Sequence, residues 1–380
     1  MNKYSIGIDI SKSDFHACIS GIDLNQRVKI LRTGTFKNKP EGFADLINWV
    51  KNTCKGSTVP FVFLMEATGI YYENCALYLF KNDFNVSVVL PNKAKKYIAA
   101  LGIKTKNDKA DSRALSRMGA EQCLELWQPM GEFFYELRSL TRYYQSIQES
   151  ITAFKNQLEA LEHGMYQNRE ISKGLKKIIN QMEIQLEEIK GAISNHLYSD
   201  AEVAQKVKNI CIVKGLGELT VAVILAETNG FTLFKNSSQL ISYAGYDVVE
   251  NQSGKRVGKT KISKKGNSRI RRALHMPALS AVRYNTGNLK SFYERNVNKH
   301  GIKMKKLCSC SKKITGADIC LMEKRRSLRS GISLNKYNRR KGGGAILSGK
   351  LRRSLKKVAL KNKATQGIQP SKYRRLHPLR

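Results

Sequence analysis

The amino-acid sequence predicts an α/β domain, then a helical, coiled-coil-like spacer, then a mostly α-helical unit, then a basic and disordered tail. Apolar runs in the first part alternate between the period of strands and the period of helices. A long stretch without proline follows, in which Leu and Ile recur at helical spacing. Basic residues then replace apolar ones towards the end. We place the four parts at 1–125, 126–207, 208–303 and 304–380.

The first part contains three strands, then a helix, a strand, a helix, a strand and a helix. The predicted strands are the apolar runs 4–10, 15–20, 28–36, 59–65 and 86–90. Polar turns between the first three predict hairpins. Pro40 and Pro91 each begin a helical pattern, because proline suits the first turn of a helix. The uninterrupted apolar run at 59–65 is typical of a buried strand.

The spacer is predicted to contain two long helices. Leu and Ile share one face over 137–161 and again over 178–193, and His163-Gly164 interrupts the pattern. Helices this exposed favour an antiparallel pair or a dimerising coiled coil. A simple spacer between two domains is an equal alternative.

Near the start of the third part, Gly215-Leu216-Gly217 precedes an apolar helix that reaches Glu227. A glycine turn that opens a helix presents backbone N–H groups, which can bind phosphate. The alternative is a tight turn between core helices.

Net charge indicates the class of partner. The chain has 67 Lys and Arg against 30 Asp and Glu, a formal net charge of +37. Such an excess favours a polyanion, nucleic acid before a membrane surface, over small neutral or cationic substrates. The last 80 residues hold 24 of the basic residues and two acids, Asp318 and Glu323.

Membrane insertion and secretion are not expected. No apolar run approaches the length of a transmembrane helix, and the N terminus lacks the apolar core of a secretory signal. Among the eight cysteines only Cys308 and Cys310 lie close together, and no zinc-finger spacing occurs. We therefore expect reduced thiols, a cytoplasmic protein and no membrane partner.

Four acids are candidates for one site. Asp9 ends the first strand and Glu66 ends the buried strand, so both carboxylates emerge at one edge if both strands are central. Asp108 and Asp111 share one face at the start of a helix. Carboxylates suit Mg²⁺, and two such ions can hold the attacking and leaving oxygens of a phosphodiester. The alternative is a set of turn residues and helix caps.

The chain resembles the DEDD insertion-sequence transposases. It is similar to their three acidic blocks in GIDISK (7–12), MEATGIY (65–71) and KNDKAD (106–111). It is similar to their second domain in LISYAG (240–245), QSG (252–254) and ISKKGNSRIRRAL (262–274). The resemblance extends from residue 1 to about residue 303, with the motifs in the family's order.

The resemblance implies an RNase H/RuvC-like N-terminal domain and a serine-containing transposase domain, in a family of bridge-RNA-guided serine recombinases. It implies that Asp9, Glu66, Asp108 and Asp111 are catalytic ligands of Mg²⁺, and that Ser253 is the nucleophile. The partners it implies are DNA of the element's ends and target, a guide RNA, and further copies of the chain in a dimer or tetramer.

Basic residues follow the candidate nucleophile closely. We expect the following side chains to hold backbone phosphates: Lys264, Lys265, Arg269, Arg271 and Arg272. The alternative is a solvated basic helix face. Ser263 and Ser268 lie in the same motif and compete with Ser253 for the role of nucleophile.

The predicted function is that of a DNA transposase or recombinase. An alternative enzyme is a RuvC-like, metal-dependent endonuclease that uses only the four acids. A catalytically inactive nucleic-acid-binding remnant is another. An actin-like ATPase or sugar kinase can also begin with Gly-Ile-Asp-Ile, but a second Asp-Gly-rich phosphate loop is missing from the sequence.

The tail departs from the family pattern, which continues into an apolar helix. One nucleotide string that encodes residues 309–315 encodes Ala-Val-Ala-Arg-Lys-Leu-Leu when read one base later. Our hypothesis is that the gene shifted frame just before Leu307, so that the tail is poorly packed and activity of this chain is in doubt. A genuine basic arm that binds nucleic acid is the alternative.

Overall fold

The computed structural model describes residues 1–55, 59–102, 107–212, 215–234, 236–254, 256–258, 261–284, 289–300 and 308–314. The chain divides into two compact units, Met1–Glu136 (the N-terminal unit) and Leu137–Arg380 (the C-terminal unit).

A five-stranded mixed sheet forms the centre of the N-terminal unit. Its strands are β1 (Lys3–Ile10), β2 (Asp14–Ile22), β3 (Val28–Lys37), β4 (Phe61–Glu66) and β5 (Asn85–Val89). The order across the sheet is β3-β2-β1-β4-β5. The first three strands are antiparallel neighbours, whereas β4 pairs in parallel with β1 and with β5. The predicted α/β fold of this part is confirmed, and β1 and β4 are both interior strands of the sheet.

Helices cover both faces of this sheet. They are α1 (Pro40–Thr53), α2 (Glu73–Lys81), α3 (Pro91–Ala100) and α4 (Asp108–Glu121). On one face, Ile6 and Phe63 of the sheet pack with residues of α1 and α2 in the larger core cluster. On the opposite face, Leu64 packs with Ala94 of α3 and Leu115 of α4. The alternation along β4 follows from the two-residue period of a strand.

Helix α4 lies directly against the backbone of β1. A Cβ atom added to Gly7 would stand 2.0 Å from the backbone N of Ser116 and 2.4 Å from the carbonyl O of Ser112. At the other end of β1, the Lys3 ammonium donates to the carbonyl oxygens of Gly119 and Gln122. Early residues of β1 therefore meet late residues of α4, and the two elements run in opposite directions.

The remainder of the described chain is mostly helical. Its helices are α5 (Glu132–Glu162), α6 (Arg169–Ser199), α7 (Ala201–Cys211), α8 (Glu218–Glu227), α9 (Ser237–Tyr243), α10 (Ser268–Ala273), α11 (His275–Arg283) and α12 (Leu289–His300). Four two-residue strands form two small antiparallel pairs. They are β6 (Val248–Val249), β7 (Gln252–Ser253), β8 (Arg256–Val257) and β9 (Lys261–Ile262).

Helices α5 and α6 form an antiparallel hairpin. Ile147 and Ile151 of α5 bury against Ile179 of α6. Lys155 pairs with Glu183 at 2.6 Å, and Glu162 pairs with Lys176 at 3.0 Å, so positions later in α5 meet positions earlier in α6. The predicted break at His163-Gly164 is confirmed, because α5 ends at Glu162 and α6 begins at Arg169. Of the two arrangements that the sequence left open, the structure shows the antiparallel pair.

A buried carboxylate connects the helices of the C-terminal unit. Glu227, the last residue of α8, is only 3% exposed. Arg142 of α5 donates to both of its oxygens at 2.8 and 3.1 Å, and the Asn267 amide donates at 2.7 Å. The Tyr243 hydroxyl donates to the Glu227 carbonyl. Burial favours the neutral acid, but the hydrogen bonds from Arg142 and Asn267 outweigh it, so the pKa of Glu227 lies below its ordinary value.

Part of the predicted disordered tail is folded. Residues 308–314 are helical, and Cys310 and Ile314 on one side of this helix are 0% and 4% exposed. The Lys313 ammonium lies 3.8 Å from the centre of the Phe292 ring, a cation–π contact. The four-residue spacing of the two buried side chains explains the packing. The rest of 304–380 lies outside the described residues.

No helix in the described parts of the chain is both long enough and apolar enough to cross a membrane.

We expect Gly7→Ala to destabilise the N-terminal unit by about 3 kcal/mol, because the added methyl group meets helix backbone that cannot rotate away. Both tryptophans, Trp49 and Trp127, pack beside the core of this unit, so tryptophan fluorescence during urea unfolding measures it. Gly191→Ala in α6, where the added Cβ meets nothing within 4 Å, is the control. A shared midpoint for both variants would contradict the close packing of α4.

We expect Glu227→Gln to lower the free energy of unfolding by about 3 kcal/mol at neutral pH, because the Arg142 guanidinium is left beside a buried neutral group. In the wild type the folded-state pKa is lowered, so this contribution is present above the ordinary value of 4.5 and is lost as pH falls through the lower value. Urea unfolding followed by helical circular dichroism, at neutral and acidic pH, measures both effects. The control Glu183→Gln breaks an exposed pair and should cost under about 1 kcal/mol. Equal losses of unfolding free energy in the two variants would show that the hydrogen bonds around Glu227 do not stabilise the C-terminal unit.

Candidate active site

Asp9 and Glu66 lie on neighbouring parallel strands, at the ends where those strands stop. The register pairs Ile8 of β1 with Met65 of β4, so the next residues, Asp9 and Glu66, are adjacent. Side chains alternate between the faces of a strand, and Gly7 faces α4. Asp9 and Glu66 therefore belong to the face of the sheet that α4 covers.

Asp108 and Asp111 occupy the first turn of α4. Because α4 runs opposite to β1 and its residue Ser112 already lies over Gly7, this first turn is at the same edge of the sheet as Asp9. The N-cap is Asn107, whose side-chain oxygen accepts a hydrogen bond from the Ala110 N–H at 2.8 Å. The alternative interpretation of Asp108 as the N-cap is therefore wrong.

The four acids thus share one edge and one face, which we call the acidic edge: Asp9, Glu66, Asp108 and Asp111. Their donor atoms are carboxylate oxygens, the ligand type that Mg²⁺ prefers. Within the residues that the structure describes, no three His, Cys, Asp or Glu side chains come close enough together to hold a metal ion. The chemistry and the shared edge fit a divalent cation, but the side chains are not gathered into a compact ligand cluster.

Ser253 lies in an exposed hairpin of the C-terminal unit. Strands β7 and β8 are paired, and Gly254, directly after Ser253, has a φ of 54°, in the left-handed region that glycine tolerates. The register places Ser253 directly opposite Arg256, and both residues are exposed. Directly opposed residues project from the same face of a hairpin. Sequence reasoning missed Arg256, because only the pairing of the two strands brings it opposite Ser253.

The competing serines have different surroundings. The Ser263 hydroxyl donates to the Gly245 carbonyl at 3.2 Å and accepts from the Lys265 N–H at 3.3 Å, so it stabilises a turn. Ser268 is exposed at the first position of α10, directly after the N-cap Asn267.

The five basic residues of the motif are not equivalent. Lys264 and Lys265 are exposed. Arg271 donates to the carbonyl oxygens of Ala244 and Gly266 at 2.8 and 3.1 Å, which connects two loops. These contacts give Arg271 a role inside the fold, whereas the two lysines face solvent.

The other two arginines lie beside acids of the same unit. The Nε atom of Arg269 is 3.9 Å from a carboxylate oxygen of Glu227 and donates no hydrogen bond within the described structure. Arg272 pairs with Glu149 of α5. Glu227 therefore organises the basic motif through Asn267 and Arg269, a role that sequence reasoning missed because the partners are 40 and 42 residues away.

The glycine turn before α8 favours the structural alternative. Leu216 is buried, and a Cβ atom on Gly215 would meet the Pro277 carbonyl at 3.3 Å. Glu218 places a carboxylate in the first turn of the helix, which opposes an anion there. This turn is therefore a packed connection between helices.

Two solved structures align with 33% of the chain. The RuvC structure from Thermus thermophilus aligns with a TM-score of 0.26 and 13% identity, over 33% of this chain and 99% of that one. T. thermophilus RuvC in complex with a Holliday junction substrate gives a TM-score of 0.25 at the same identity and coverage.

Two relatives match most of the chain. The pilin gene-inverting protein of Moraxella bovis is 28% identical over 283 residues, which are 73% of this chain and 83% of the relative. The transposase for insertion sequence element IS1111A of Coxiella burnetii is 22% identical over 306 residues, 73% of this chain and 78% of that protein.

Family models match both halves of the chain in order. The model of the DEDD transposases of the IS110 type, described as a transposase, matches residues 6–166. The model described as the transposase IS116/IS110/IS902 family matches residues 207–294. The chain therefore belongs to the IS116/IS110/IS902 family of DEDD transposases, enzymes that cleave and rejoin DNA.

Proposed function

We propose that this transposase moves an insertion sequence by cutting and rejoining DNA at the element's ends and target, with a serine nucleophile, Mg²⁺ and a guide RNA. The observation that carries the proposal is that the four acids share one edge and one face of the sheet. Membership of a DNA-transposing family supplies the substrate class. The serine, the magnesium ion and the RNA are the proposed refinements.

The acidic edge is the proposed metal-binding part of the machinery. Its four carboxylates, Asp9, Glu66, Asp108 and Asp111, would hold Mg²⁺, which when bound neutralises charge on a phosphodiester and polarises its oxygens. The sheet supplies two of the acids from rigid strands. Helix α4 supplies the other two, and its packing on Gly7 fixes their height above the sheet.

Ser253 is the proposed nucleophile. Its Oγ attacks the phosphorus, a phosphoserine bond forms, and the bond from phosphorus to a deoxyribose oxygen breaks. The hydroxyl proton passes to a base, and the departing oxygen takes a proton. Rejoining is the reverse reaction with a new DNA hydroxyl, so the bond energy is conserved. Because the hairpin carries no acid, we propose that the base comes from an acidic edge of another copy in a dimer or tetramer.

We propose that three cations hold the phosphate that Ser253 attacks. Arg256 projects from the same face of the hairpin, and a guanidinium can bind two phosphate oxygens at once. Lys264 and Lys265 are exposed in the following motif. For Arg269, Arg271 and Arg272 we propose the additional role of positioning this motif, because each already lies beside an oxygen of the protein.

The guide RNA is proposed from the family resemblance and from charge. The net charge of +37 suits a polyanionic partner, which DNA and RNA both are. Omitting the element-encoded RNA from a cleavage reaction tests this step. Full activity without RNA would exclude guidance.

The second candidate function is a nuclease that uses the acidic edge alone. It is favoured by one observation: the acids and the serine belong to separate compact units. A nuclease releases free nicked DNA, whereas serine chemistry leaves protein attached to a DNA end.

We expect Ser253→Ala to abolish the covalent protein–DNA adduct while DNA binding is unchanged. The reaction contains protein, Mg²⁺, element RNA and end-labelled donor DNA, and a denaturing gel detects the adduct. Ser263→Ala and Ser268→Ala are the matched controls and should retain it. An adduct that survives in Ser253→Ala would move the nucleophile to another residue.

We expect Asp111→Asn to reduce cleavage about a hundredfold or more, because it removes a proposed metal ligand. Chelation of divalent ions with EDTA should have the same effect on the wild type. The control Asp45→Asn changes an exposed acid of α1, on the other side of the sheet, and should cleave normally. Equal cleavage by the two variants would remove Asp111 from the machinery.

A further inference from the structure

A small polar cavity lies beside the acidic edge. Its volume is about 120 Å³, and we call it the polar cleft. Strand β2 contributes His16 and Ala17, β3 contributes Thr33, Gly34 and Thr35, and the start of α4 contributes Lys109 and Ser112. Neither Asp nor Glu is among these residues.

The sheet register places the cleft next to Asp9. His16 is the direct cross-strand partner of Asp9, and Thr35 is the partner of His16. Directly paired residues project to the same face. Asp9, His16 and Thr35 therefore form a row across three strands on the face that α4 covers, with Lys109 next to Asp108 in the chain.

The lining groups are mainly hydrogen-bond donors. Thr33, Thr35 and Ser112 carry hydroxyl groups, His16 an imidazole and Lys109 an ammonium group. Hydroxyl, imidazole N–H and ammonium groups all donate to oxygen, and only the ammonium is permanently charged at neutral pH. The volume corresponds to about four water molecules. These properties suit a small, oxygen-rich anion.

The cleft is also accessible from the side. Strand β3 is at the end of the sheet order, and both Thr33 and Thr35 are exposed. A long polymer can therefore pass along the edge of the sheet and place one group in the cleft, whereas an enclosed cavity admits only a free small molecule.

We propose that the polar cleft binds a backbone phosphate of a nucleic-acid strand, next to the phosphodiester at the acidic edge. This inference rests on the proposed function, because it assumes that the acidic edge acts on a phosphodiester. Lys109 and His16 hold the neighbouring phosphate and so fix the strand's position along the edge. The cleft is then a positioning subsite, in which no bond is made or broken.

The test compares Lys109→Met with the control Lys51→Met in the full chain. Both changes remove one exposed lysine from the N-terminal unit, but Lys51 is on α1, on the opposite face of the sheet. Fluorescence anisotropy with labelled donor-end duplex DNA, in EDTA, gives the dissociation constant over a range of salt concentrations. A parallel arm uses single-stranded RNA of the same sequence.

We expect Lys109→Met to weaken binding about tenfold and to reduce the slope of log K against log salt by about one. Thr35→Val, which keeps the shape and removes one donor, should weaken binding less and leave the slope unchanged. The nucleic acid whose binding Lys109→Met weakens identifies the bound strand as DNA or RNA. Equal behaviour of Lys109→Met and Lys51→Met in both arms would overturn the proposal.

The outcomes separate this inference from the proposed function. If wild-type protein forms the serine adduct and Lys109→Met binds like the control, only the cleft proposal fails. The opposite result is that Lys109→Met binds more weakly, with a smaller slope of log K against log salt, while no variant forms an adduct. In that case the cleft proposal stands and the proposed serine chemistry fails. Tryptophan fluorescence of each variant confirms that the N-terminal unit is folded, since both tryptophans pack there.

Discussion

The direct contact between the backbone of α4 and the backbone of β1 determines where the acids of this transposase lie. Only a residue without a side chain permits that approach, and Gly7 supplies it, two residues before Asp9. If α4 were lifted from the sheet by the size of a side chain, Asp108 and Asp111 would rise with it. The positions of Asp108 and Asp111 therefore depend on the absence of a Cβ atom at Gly7.

The packing of the C-terminal unit depends instead on the buried negative charge of Glu227. Glu227 is enclosed, and an enclosed carboxylate is costly unless donors surround it. Arg142 and Asn267 are the donors. Arg142 thereby connects α5 to the end of α8, and Asn267 connects the loop before α10 to the same point. The basic motif is therefore a structured surface, in which two lysines face solvent and three arginines contact the protein itself.

Much of the fold was predictable from the sequence because it depends on local patterns. Alternating apolar runs located every strand of the sheet, and the spacing of Leu and Ile located both long helices. Burial at 310, 311 and 314 was not predicted, because the basic residues around these positions suggested disorder; the alternative reading frame would place Val, Ala and Leu there. The roles of Glu227, Arg256 and His16 were missed because each depends on a partner that only the folded chain brings close. For the same reason, the sequence could indicate the four acids but not their distances.

The α5–α6 hairpin also has a geometric consequence. Each helix has 31 residues, which at 1.5 Å per residue is about 46 Å, longer than many small domains are wide. Its two helices are held in register by ion pairs near the tip and buried isoleucines along its length. Shortening one helix alone would break this register, whereas removing a turn from both would preserve it. The length of the α5–α6 hairpin can therefore change without loss of register only if the same number of helical turns is removed from both helices.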